Sequence, residues 1–171
     1  RSMGFRKKNL KIAVLMALLS YAVFVLVIPV IVPDSQWQAL KEMLQSPLKL
    51  LVALPLGFVL SLFTAAFTEE VFFRGILQNI FSRVFRSDLR GCLLTAFLFG
   101  IYHLPYAFYS ADWPTHGNWI WAISSVLAEQ MVTGLLLGVL WYRTRNLAAP
   151  ILFHALVNTA AIMSSLNINM G

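Results

Sequence analysis

The sequence predicts an all-α fold, a polytopic transmembrane helical bundle of about five spans, and three observations carry that prediction. First, 59% of the 171 residues are hydrophobic and only 12% are charged, against roughly half and a quarter in soluble domains. Second, the apolar residues fall into runs of about 20, long enough to cross a bilayer as helices. Third, the cations cluster between those runs: Arg1, Arg6, Lys7, Lys8 and Lys11; then Arg83, Arg86 and Arg90; then Arg143 and Arg145. The net charge of +6 is therefore read as topological, the excess of Lys and Arg expected of cytoplasmic loops. No interleaving of basic and aromatic residues marks a nucleic-acid surface.

The first span covers residues 12–32. It is longer than a signal-peptide core and no small-x-small cleavage site follows, so it reads as an anchor. Residues 33–47, with Pro33, Asp34, Trp37, Lys41 and Glu42, read as a polar outer connection carrying an interfacial helix. A long helix then runs from about Pro47 to Ser82, a third span covers 91–109, and a turn-rich loop covers 110–118 with Asp112, Pro114, Gly117 and Asn118. The fourth span covers 119–142 and the fifth 147–166. Trp113, Trp119 and Trp121 should mark one interface and Trp141 with Tyr142 the other, as an aromatic belt does.

With the amino terminus inside, ten of the 13 Lys and Arg fall at the cytoplasmic face, leaving Lys41 and Lys49 outside and Arg74 in the bilayer. The whole chain, 1–171, is expected to form one membrane domain, with Cys92, the single cysteine, unable to form an intrachain disulfide.

Ionisable groups at membrane depth are costly and face protein, a water-filled cavity or a reaction. The long helix carries Glu69-Glu70-Val71-Phe72-Phe73-Arg74 in its second half. Glu70 and Arg74 are spaced i,i+4, which brings side chains together, and an ion pair lowers the cost of keeping either charge buried. Glu69 points about 100° away on the helix and is the better candidate base. Phe99-Gly100-Ile101-Tyr102-His103 places a histidine one turn beyond a phenylalanine, and glycine allows a close helix approach. His154 and Asn158 share one helical face, and donors there would suit a developing oxyanion. At 1.5 Å per residue, Glu69 and His103 each lie roughly 20 Å from the basic loop at 83–90 and His154 roughly 13 Å beyond Arg145, so the groups can converge.

The three elements, Glu69-Glu70-x-x-x-Arg74, Phe99-x-x-x-His103 and His154-x-x-x-Asn158, resemble the CAAX protease and bacteriocin-processing family of glutamic intramembrane endopeptidases, often called CPBP or Abi. The resemblance covers residues 60–165, expected to be the catalytic core. It implies that Glu69 and His103 hold and activate the attacking water, that His154 and Asn158 stabilise the oxyanion, and that Glu70 and Arg74 support the site. It also implies an integral membrane hydrolase acting on transmembrane or membrane-associated peptides, in contact with membrane lipid and with no nucleic acid. The brevity of the chain suggests a bacterial member, hence the inner (plasma) membrane, and the count of cations places the amino terminus in the cytoplasm.

Other readings stand beside this one. No metal or other cofactor is expected, the alternative being zinc held by Glu69, His103 and His154 with water in the fourth position. A non-proteolytic scaffold or immunity protein and a proton-coupled transporter are further alternatives. Glu129, on the fourth span, is read equally as a paired structural residue or a pocket lining. Gly134-x-x-x-Gly138 is read as close helix packing, His116 as a solvated loop residue, and Phe72 and Phe73 as lipid-facing or packing residues.

Overall fold

The structure, a computed structural model, describes residues 4, 7–31, 47–111 and 113–165. The expected outer connection falls almost wholly on residues outside these. The described chain is an all-helical membrane bundle of five helices: α1 (Leu10–Ile31), α2 (residues 47–84), α3 (Asp88–Tyr109), α4 (Trp119–Thr144) and α5 (Ala148–Ser165). The first four are long and apolar enough to cross a membrane, and α5 is a shorter apolar helix. Because lipid cannot satisfy backbone polar groups, helices are the form such apolar runs adopt.

Local chemistry sets the helix ends. α3 begins at Asp88, three residues before the expected start, because the Ser87 hydroxyl caps it by accepting from the Arg90 N–H at 3.3 Å. The Asn118 side chain caps α4 by accepting from the Trp121 N–H at 3.2 Å. The basic-end reversals between α2 and α3 and between α4 and α5 pass through Arg86 and Arg145, both with positive φ.

In α2 the winding is not uniform. Leu62–Ala66 and Val71–Gln78 are π-helical and flank the four-residue α segment Phe67–Glu70 that carries both glutamates; α4 has a further π stretch at Val126–Gln130. Such wide turns recur at functional sites.

Small residues bring the helices together. A β-carbon on Gly134 would lie 3.1 Å from the Ala96 Cα, and one on Gly100 would lie 2.7 Å from the Met131 Cγ, so α3 and α4 touch almost backbone to backbone. Gly138 faces Cys92 and Gln78 in the same way. The amino-terminal half of α2 packs on α5, its carboxyl-terminal half on α3, and α1 lies against α5 and α4. The core joins Ala13 and Ala17 of α1 to Phe73, Phe99, Leu137 and Phe153.

One interfacial expectation is corrected. Tyr142 is exposed, but Trp141 is buried against Leu147 and Ile151. The chain reverses immediately after it, so α5 and Gly4 cover the ring that a straight helix end would have presented to lipid.

Candidate active site

Three helices bring five of the sequence-selected side chains, Glu69, Glu70, Arg74, His103 and His154, into one cluster. The α2 segment Phe67–Glu70 presents Glu70 wholly inside the bundle, while Glu69, about 100° around the helix, stays partly accessible. Glu70 Oε1 accepts from Arg74 Nη1 at 2.7 Å and from His154 Nδ1 at 2.7 Å. Arg74, also fully buried, donates from Nη2 to the Gly134 carbonyl at 3.0 Å, and its guanidinium lies over the Phe99 ring with Cζ 4.5 Å from the centroid. An ion pair held this way is hydrogen-bonded on both sides, the condition under which a buried charge is tolerated.

Both histidines are oriented through Nδ1. On α3, His103 Nδ1 donates to the Phe99 carbonyl at 2.8 Å, because a carbonyl can only accept. On α5, His154 Nδ1 faces the Glu70 carboxylate, which makes the nitrogen the donor there too. Both Nε2 atoms are therefore turned to Glu69: His103 Nε2 lies 3.8 Å and His154 Nε2 3.9 Å from Glu69 Oε2. That oxygen is buried and has no hydrogen-bond partner among the described residues. Separations of this size between polar atoms are those a bridging water serves. Phe99 forms the floor, its ring 4.6 Å from the His103 ring and 5.8 Å from that of His154.

Asn158 lies one turn beyond His154 on α5, half-buried. Among the described residues no hydrogen bond joins its side chain to the cluster. Glu129 lies apart: its carboxyl hydrogen-bonds Ser125 on its own helix, and the residue is exposed on α4. His116 is exposed in the 110–118 loop.

A cavity of about 150 Å³ opens beside Glu69, lined by Thr68, Glu69, Phe72, Phe73 and Tyr102. Its rim faces outward, with Phe72 50% and Tyr102 58% exposed, whereas Phe73 is buried against Phe99. Phe72 and Phe73 thus do more than face lipid or fill space, since both wall this cavity.

Sequence reasoning missed Tyr102, whose ring packs edge-on against His103 at 5.2 Å. Its position immediately before His103 was the available signal. The Glu70–His154 contact was also missed; no local spacing links residues 84 apart.

Among the described residues, no set of three His, Cys, Asp or Glu side chains is arranged to hold a metal ion. A carboxylate and an imidazole nitrogen converge on one point beneath a small apolar cavity, with a second imidazole and a buried ion pair behind them.

Comparison with known proteins bears on this geometry. A family model described as type II CAAX prenyl endopeptidase Rce1-like matches residues 47–160, well over half of the chain. No curated protein and no solved structure matches.

Proposed function

The chain belongs to the Rce1-like family of type II CAAX prenyl endopeptidases, and from that premise we propose that it hydrolyses peptide bonds inside the membrane with water activated by Glu69 and His103. Family membership by itself implies a protease in the membrane. The observation that carries the finer reading is the convergence of His103 Nε2 and His154 Nε2 on one buried Glu69 oxygen, at 3.8 and 3.9 Å.

In the proposed reaction a water sits between Glu69 and His103. Glu69 takes one proton as the water oxygen adds to the substrate carbonyl, while His103 Nε2 accepts a hydrogen bond from the other. The carbonyl oxygen becomes an oxyanion. His154 can donate to it from Nε2 only as an imidazolium, whose charge the Glu70 carboxylate at Nδ1 would balance, and the Asn158 amide would be the second donor. Preorganised donors of this kind are worth about 10²–10³ in rate each. Collapse of the intermediate breaks the C–N bond, and the proton held by Glu69 passes to the leaving amine.

The cavity suggests the substrate. At about 150 Å³ it is comparable with an apolar site that holds one benzene-sized molecule, enough for one apolar side chain. Its exposed aromatic rim faces the side that lipid would cover. We therefore favour transmembrane or membrane-associated peptides as substrates, in a bacterial inner membrane, with the basic end of the bundle cytoplasmic.

The test is Glu69→Gln in reconstituted protein. Loss of a positioned general base lowers the rate about 10²–10⁴-fold, and mass spectrometry of peptides captured by the variant identifies the substrate. Hydrolysis at the wild-type rate would sink the proposal. The zinc alternative has one supporting feature: each histidine's Nδ1 is held by an outer partner, as zinc-bound histidines are. Against it, the Glu69–histidine separations exceed the roughly 3.4 Å between tetrahedral ligands at Zn distances of about 2.1 Å. Activity should therefore persist in chelator; loss restored only by zinc would reverse this choice.

A further inference from the structure

At the basic end of the bundle, two chain reversals each turn on an arginine in the left-handed region, Arg86 at φ 49° and Arg145 at φ 48°; among the described residues no other non-glycine residue has positive φ. Glycine takes that conformation freely and other residues only at a cost. The first turn is closed by the Ser87 N–H donating to the Ser82 carbonyl at 3.1 Å and the Arg86 N–H to that of Arg83 at 3.2 Å. The second is closed by the Arg145 N–H donating to the Trp141 carbonyl at 2.8 Å. One ion pair, Arg145 Nη2 to Asp88 Oδ2 at 2.8 Å, pins the two turns together.

That pair leaves a charge imbalance. Asp88 is the one carboxylate at this end among the described residues, and Arg145 occupies it. Arg86, Arg90 and Arg143 are exposed, with no ion-pair partner among the described residues. Two apolar side chains that neighbour Arg86 and Arg90 in sequence are also exposed, Val84 at 69% and Leu89 at 68%. A soluble polyanion would leave those two side chains in water. A lipid would not, because its acyl region covers Val84 and Leu89 while its phosphate meets the guanidinium forks, which match phosphate oxygens two at a time.

We propose that the double turn is a binding site for the headgroup phosphate of an anionic phospholipid, held by Arg86, Arg90 and Arg143 on a platform fixed by the Arg145–Asp88 pair. The site is separate from the Glu69 cluster and does not depend on the protease assignment.

The test uses the whole chain in nanodiscs of mixed phosphatidylcholine and phosphatidylglycerol, with retained lipid counted by native mass spectrometry. Wild-type protein should retain phosphatidylglycerol selectively. Arg86→Gly should weaken retention while leaving thermal stability in pure phosphatidylcholine unchanged or higher, because glycine suits the turn. The pair Arg86→Gly with Arg90→Gln should weaken retention about 30-fold, from the contribution of each arginine at an anionic surface. Lys7→Gln with Lys11→Gln removes the same charge from the same end and should change retention little. Equal losses in this control would overturn the proposal, leaving only generic basic charge. So would retention without preference for phosphatidylglycerol, or displacement of the lipid by inorganic phosphate or an acidic peptide.

Discussion

Replacing Arg74 by methionine tests the energetic centre of the bundle. The guanidinium and the Glu70 carboxylate are both fully buried, joined at 2.7 Å, and the guanidinium also donates to the Gly134 carbonyl. Arg74→Met keeps length and apolar stem but leaves the buried Glu70 carboxyl with His154 as its one hydrogen-bond partner among the described residues. Breaking a buried pair from one side costs about 3–5 kcal/mol. Glu70→Gln, which strands Arg74 instead, should cost a similar amount. The double variant removes both charges, and replacing a buried pair whole is often close to neutral, so it should cost less than either single variant, most of the summed loss returning as coupling. Denaturant unfolding in mild detergent, followed by helical circular dichroism, supplies all four corners of the cycle. Recovery of the fold should not bring back hydrolysis, because His154 Nδ1 no longer faces a carboxylate. A cost under about 1 kcal/mol for Arg74→Met, or singles that simply add, would refute the reasoning.

Two further outcomes follow from the packing and the site. Gly134→Val should separate α3 from α4, since even a β-carbon would meet the Ala96 backbone at 3.1–3.3 Å; overpacking of this kind costs about 1–3 kcal/mol, visible as a lowered melting temperature. Asn158→Ala should cut turnover about 10²–10³-fold if its amide holds the oxyanion, with melting unchanged because no hydrogen bond of its side chain to the cluster would be lost; full activity would remove Asn158 from the site.

The fold was largely legible because lipid simplifies the code. Runs such as 10–31 and 119–144 need only length and apolarity to declare themselves, and the cation clusters locate the reversals. The i,i+4 spacing of Glu70 and Arg74 also foretells their contact, since both lie on one helix. What joins different helices is harder to read. The His154–Glu70 bond depends on how α5 rotates against α2, and that rotation follows from packing rather than local pattern. Trp141 misleads for a related reason, as aromatic residues at a helix end suit an interface until a following turn folds over them. The π stretches leave no composition signal, because Val71–Gln78 reads as an ordinary apolar helix apart from Arg74 and Gln78.

The wide turns on either side of Phe67–Glu70 give α2 a tolerance that a uniform helix lacks. In a regular α-helix, one residue gained or lost spins everything beyond it by about 100°, which would swing Glu70 off α5 or Glu69 off α3. A loosened coil can absorb such a change within itself and hand on the same phase. Lineages of this chain could then drift by a residue in length between the glutamates and the basic hairpin while both carboxylates keep their bearings. What selection would hold constant is the compass direction of the pair, with the residue count left free to wander.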